Sequence, residues 1–418
     1  MRGLRVKNFL VLFLTMVVFA TSVYSIDRRK DQYSYDFGYL LIPAPYSLPG
    51  IGEGIAYVAM ANNVFSSQTD LIYNALTGDV KGYGAGISEL YLLDKSIRLD
   101  IFHQELDKAT VKNYNSRGMG SGKDDYTNIT IDNLNFSTIR LTNSYFERRL
   151  EFSGLYYKNM YDVNSLSDKD GLVILDSDGA DKQKSDTFSF SVILDITDDR
   201  IDPRVGLRYE HSLDYTPNEN SLSADYYVIN KNLTAYIPIG KQSTWAFNYF
   251  RSDAHVIDEG ETDVQKLQNS YGLDCDSLDG ADKNNCNNLI NNVIAANKYG
   301  TASSLGGRSR LRSYPELRFQ GAHSEFFGTE LRLNLTEENT PFNLLFINDI
   351  RSSVQTSFFY EKGSVADQLD DLGKDEKESY GVGLRLVAGS GLVYRLDVAF
   401  GDEGSEYTMI VNYPWESF

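Results

Sequence analysis

After residue 20 this chain has no apolar run that approaches the roughly 20 residues a spanning helix needs, which excludes a helical membrane bundle. Basic residues are also short, 40 Lys and Arg against 58 Asp and Glu, for a formal charge of -18 that makes nucleic acid an unsuitable partner. Only four histidines occur, His103, His211, His255 and His323, too scattered to suggest a metal cluster. No Ser-His or Asp-His arrangement stands out, so neither an enzyme nor a cofactor is expected. No Pro-rich linker or shift in composition marks a second domain.

Two cysteines leave no room for a disulfide framework, but Cys275 and Cys286 lie eleven positions apart in a polar stretch. The chain opens with Arg2, Arg5 and Lys7, an apolar run over 9–20, and small residues at Ala20 and Ser25. These features describe a secretory signal peptide over 1–25. The run is too short for a spanning helix. Removing the signal would take three positive charges with it, from -18 to -21. An exported chain meets an oxidising compartment, so Cys275 and Cys286 are expected to form a disulfide. Two thiols with no nearby histidine cannot complete a zinc shell, and no metal is expected.

What the chain has in quantity is Tyr and Phe, 29 and 22, spread over segments in which every second residue is apolar. Thirteen such segments run from 80–93 to 406–415, and 26–79 has room for about three more. Near the end, Leu392, Tyr394, Leu396, Val398 and Phe400 alternate with Val393, Arg395, Asp397 and Ala399. A strand reads this way when one face meets hydrocarbon and the other a wet lumen. A charge on the lipid face at mid-membrane costs about 2–4 kcal/mol, which places Glu330, Arg332, Glu361, Arg385, Arg395 and Asp397 inside. Tight connections, such as 94–95 and 146–148, alternate with long ones, such as 114–130 and 256–323. That pattern predicts an all-β transmembrane antiparallel barrel with short turns in the periplasm and long loops outside. A soluble β-sandwich would also alternate, but would not explain the loop lengths or so many aromatics on the apolar face. A segment or first strand over 26–50 precedes the barrel assigned to 51–418.

The 68-residue stretch 256–323 is too long for a passive connector, with short helices expected at 263–274 and 288–300. The acidic runs Asp176 to Asp181 and Asp274 to Asp279 lack EF-hand spacing and read as surface loops.

Four stretches carry a resemblance to a known family. Leu311-Arg312-Ser313-Tyr314, after Gly306-Gly307, resembles the Arg-Gly-Phe/Tyr tip of the sixth external loop in the BamA, TamA and FhaC superfamily of outer-membrane barrels. Thr329-Glu-Leu-Arg332 and Thr356-Ser-Phe-Phe-Tyr-Glu-Lys-Gly363 resemble that family's next two strands. Thr197 to Gly206 resembles its Asp/Arg-rich turn. The resemblance implies sixteen strands and an external loop folding into the lumen, where Arg312 and Tyr314 form a structural lock with Glu330 and Glu361. A planar guanidinium suits such bidentate carboxylates.

Ser313 stands where the family has glycine, so a left-handed backbone there would be strained. Between Ser25 and the region Tyr33 to Tyr46 there is no room for the periplasmic POTRA repeats of family members, so a member without them is expected.

Two functional readings follow. One is insertion or translocation of protein at the outer membrane, with unfolded outer-membrane proteins or a separate POTRA-bearing or periplasmic partner. The other is a passive pore or a structural barrel in an envelope complex. Either places the protein among outer-membrane lipid and lipopolysaccharide in a Gram-negative-type bacterium.

Overall fold

The computed structural model describes residues 37–415 apart from 94, 177–182, 219–221, 241–242, 337–341, 345–346, 351 and 389–392. The stretch 1–25, expected to be an export signal, and Phe418 lie outside the described residues, as does most of the acidic run from Asp176 to Asp181. Sixteen strands form the barrel. The first eight are β1 (Gly38–Leu48), β2 (Gly52–Val64), β3 (Thr69–Gly78), β4 (Lys81–Leu93), β5 (Ile97–Tyr114), β6 (Tyr126–Tyr145), β7 (Leu150–Ser167) and β8 (Gln183–Asp195). The second eight are β9 (Gly206–Thr216), β10 (Asp225–Ile239), β11 (Ser243–Asp258), β12 (His323–Asn334), β13 (Ser352–Ala366), β14 (Lys377–Ala388), β15 (Val393–Gly401) and β16 (Gly404–Val411). Each pairs antiparallel with the next in sequence, and β16 returns to β1 to close the sheet. The sixteen strands therefore match the number implied by the resemblance.

Alternation places the side chains as expected. In β12, Ser324, Phe326, Glu330 and Arg332 are buried, while Phe327 is exposed. In β13 and β14, Gln355, Ser357, Glu361 and Arg385 face the lumen, while Phe358, Tyr360, Val382 and Leu384 face out. The exposed set is the lipid-facing wall. Among the described residues no helix is long and apolar enough to cross a membrane.

The boundaries shift at two places for local reasons. β6 begins at Tyr126, seven residues before alternation starts at 133, because a bulge with Asn133 at φ 51° breaks the period of two. β16 ends at Val411, where Asn412 takes φ 83° and turns the chain inward. Turn lengths also differ from a strict alternation, since the first loop-side turn, 49–51, is short.

The apolar core sits in the lumen. Leu305, Leu311, Tyr314 and Phe319 of the long loop pack with Phe250, Phe326 and Trp415. Leu305 and Phe319 bridge each other, so the loop descends and returns as a narrow hairpin. Ahead of it, α1 (Val264–Tyr271) and α2 (Gly280–Tyr299) form the external cap, each somewhat displaced from its expected range. The Cys275–Cys286 disulfide joins a short turn to α2 over Leu267 and Ile290. Asp274 caps that turn through the Ser277 amide, and Asp276 pairs with Lys283.

Candidate functional site in the lumen

Arg312 is carried to the middle of the lumen by the loop tip and is fully buried. Its Nε donates to Glu361 Oε1 at 2.8 Å, Nη1 to Asp397 Oδ2 at 2.8 Å, and Nη2 to Glu330 Oε2 at 3.1 Å. The backbone amide of Arg312 donates to the other Glu361 oxygen at 2.9 Å. One guanidinium thus gathers carboxylates from β12, β13 and β15. Its flat face lies 3.5 Å from the centre of the Phe359 ring.

The three acids hold three further arginines. Glu330 accepts from Arg332 Nε and Arg385 Nη2, both at 2.8 Å, and Asp397 accepts from Arg395 Nη1 at 2.5 Å. Arg395 reaches back to the carbonyl of Arg308, which ties the wall to the loop backbone. Four arginines against three carboxylates leave an excess of one positive charge. Arg332 Nη1, Arg385 Nε and Arg395 Nε consequently have no acceptor.

Space for this cluster comes from an absent side chain. A Cβ on Gly383 would lie 2.2 Å from Asp397 Oδ1 and 2.6 Å from Ser357 Oγ, so this β14 position must be glycine.

Tyr314 anchors the other end of the tip, where its hydroxyl donates to Asp402 and to the Glu378 carbonyl. Ser313 donates its amide to Ser379 Oγ at 3.0 Å. The left-handed residue of the tip is Leu311, at φ 53°, and not Ser313, so serine costs no backbone strain there. Higher in the mouth, Arg318 grips Glu403 with Nε and Nη2 at 2.8 and 2.6 Å. Arg117 holds Asp367 in the same way.

Arg312, Glu330 and Glu361 therefore meet directly, and Arg332, Arg385 and Arg395 surround them. Asp397, first read as a general lumen charge, is a direct partner of Arg312. Asp397 lies opposite Gly383, and Arg385 opposite Arg395, so the Gly383-x-Arg385 and Arg395-x-Asp397 spacings were the available signal.

Trp415 was missed. Its ring is buried in the lumen, with Nε1 donating to Glu361 Oε1 at 3.0 Å and its carbonyl accepting from Asn232. A Cβ on Gly328 would come 2.7 Å from this ring, so the glycine makes room for it. Beside it, Tyr413 donates to Asp202 at 2.7 Å and lies under Arg332, 3.9 Å from ring centre to guanidinium. That links the terminal segment to the 197–206 turn, where Asp198 accepts from the Arg204 and Val205 amides.

A closed barrel with an inward loop pinned by an arginine defines a class of outer-membrane proteins. The Omp85 superfamily domain matches residues 81–407, and the chain belongs to that superfamily. Among solved structures, BamA from Haemophilus ducreyi lacking POTRA domains 1–3 aligns with a TM-score of 0.50 at 12% identity, covering 90% of this chain and 70% of that one. CdiB from Escherichia coli aligns with a TM-score of 0.51 at 11% identity, covering 92% of this chain and 68% of that one. At such identities the likeness is one of fold. No curated protein sequence matches.

Proposed function

We propose that this barrel takes part, without catalysis of its own, in insertion or translocation of polypeptide at the outer membrane, and that the join between β1 and β16 is where it acts. The observation that carries this reading is the weakness of that join. β1 zips to β2 along all of Gly38–Leu48, and β16 zips to β15 along its whole length, yet β1 and β16 meet at one register pair, Ser47 with Met409. The sequence of β1 explains why. Pro43 and Pro45 have no N–H, and residues two apart in a strand point their N–H groups the same way. With the β2 ladder complete, the two missing donors fall on the β16 side. Tyr394 to the Pro45 carbonyl and Tyr407 to Glu53 are side-chain links across the join.

Unfolded outer-membrane proteins are the proposed substrate, delivered by a separate POTRA-bearing or periplasmic partner. A cysteine pair at Ser47→Cys and Met409→Cys tests the seam. In liposomes, the oxidised pair should lose the ability to accelerate folding of an added outer-membrane protein, and reductant should restore it. Wild type given the same reductant controls for the native disulfide. Equal activity in the locked and unlocked forms would overturn the reading.

A further inference from the structure

The half of the lumen opposite the lock holds a cavity of about 380 Å³ against the β5 to β10 wall, reaching the short-turn end at Arg200. That volume falls within the range of small-molecule sites. Its charge contrasts with that of the chain. Arg98, Arg140, Arg200, Arg208 and Arg310 line it, whereas Glu151, Glu210 and Asp214 are its only acidic residues among those described, an excess of two positive charges.

One of those acids is heavily engaged. Glu151 accepts from Arg200 at 2.8 Å and from Arg98 at 3.3 Å, and it also holds Arg148 at 3.2 Å. Arg310 is in a different position. It comes from the same loop tip as Arg312, lies with Cζ 3.6 Å from the centre of the Phe250 ring, and has Nε and Nη2 buried without an acceptor. Arg200 Nη1 lacks an acceptor too. Arg318 and Arg117 show the fork filled, each giving Nε and Nη2 to the two oxygens of one carboxylate, Glu403 and Asp367. A buried guanidinium edge with nothing to bind is unfavourable, and a planar fork fits two oxygens of one anion. Ser153 and Ser191 line the same wall and share one hydrogen bond at 2.7 Å, which leaves one hydroxyl hydrogen of the pair to donate to a further oxygen.

We propose that this half-lumen is a binding site for a small oxoanion, a phosphate or carboxylate group on a solute that enters from the short-turn end. Arg310 supplies the fork after a small rotation of its guanidinium, held flat by Phe250, and the Ser153–Ser191 pair supplies a neutral donor. The site lies apart from both the lock and the seam, and its occupation does not depend on what the seam passes.

Calorimetric titration of the full barrel in micelles, in a phosphate-free buffer with chloride held constant, tests this with inorganic phosphate in one arm and acetate in the other. Saturable binding of phosphate alone assigns a phosphate-bearing solute, and saturable binding of both assigns any oxoanion; either supports the site. Arg310→Gln should weaken the binding about tenfold or more. Arg310→Lys keeps the charge and the fold but loses the fork, and should weaken it several-fold. No saturable heat in either arm for wild type overturns the proposal, and so does unchanged affinity in a folded Arg310 variant.

Discussion

Replacing Arg312 by alanine removes the one group, among the described residues, that touches all three lock carboxylates, but the damage falls unequally. Glu330 keeps Arg332 and Arg385, and Asp397 keeps Arg395. Glu361 keeps no cation among the described residues, only the Nε1–H of Trp415 and the amide at position 312. Leaving one buried carboxylate uncompensated costs about 3–5 kcal/mol, and that is the expected loss for Arg312→Ala. Because the cost sits at Glu361, the double variant Arg312→Ala with Glu361→Gln should recover about half of it, whereas adding Glu330→Gln should recover nothing, since it strands Arg332 and leaves Arg385 with Asp397 alone, at 3.4 Å. Urea unfolding in micelles, followed by loss of the compact band on unheated gels, reads each step as a shift in midpoint. An Arg312→Ala barrel within about 0.5 kcal/mol of wild type would refute the account, since that is the scatter of ordinary surface changes. A Glu361→Gln background that brings no recovery would refute its assignment to that carboxylate.

Three further outcomes follow from the same geometry. Trp415→Phe keeps the ring in the Gly328 niche and loses only the bond to Glu361, which should cost about 1.5–3 kcal/mol in the same unfolding assay. Asp402, in the external turn between β15 and β16, is raised by burial, but Lys377 and the Tyr314 hydroxyl outweigh that and hold it below its ordinary value. A lowered carboxyl contributes stability above its unfolded pKa and loses it as pH falls through the folded one. Protease nicking of the 300–321 loop should therefore rise on acidification in wild type and be less pH-dependent in Asp402→Asn. Replacing Cys275 and Cys286 by serine opens a loop with a sequence separation of 11 and should loosen the α1–α2 cap by about 2–3 kcal/mol, seen as faster proteolysis of 256–300 with the barrel band unchanged.

The strands and the lumen face of β12 to β15 were readable because the solvent alternates with the side chain: lipid tolerates Phe358, Tyr360 and Leu384, and only a wet interior tolerates Glu361 and Arg385. Where a bulge breaks the period, as at Asn133, the reading lost seven residues of β6. The arginine lock was legible only in part, because alternation says that Asp397 faces inward but not how far Arg312 descends. That depth is set by long-range contacts, the Leu305–Phe319 bridge and the Tyr314 anchor at Glu378 and Asp402, which leave no local pattern.

The terminal segment was the least legible, and its placement bears most on function. In the sequence, the apolar alternation of Tyr407, Met409 and Val411 is out of step with Phe418, and Pro414, which has no N–H, marks only where the ladder stops. What it could not signal is the inward turn at Asn412, which puts Tyr413 and Trp415 among the lock residues. The end of β16 is thus held by the lumen more than by β1: one register pair faces the seam, while Trp415 shares Glu361 with Arg312. A strand that parts from β1 need not leave the barrel, because its tail is bonded elsewhere. Conversely, anything that draws Trp415 out of the Gly328 niche takes a donor from Glu361 and weakens the hold on the loop tip, so seam and lock are joined through one carboxylate.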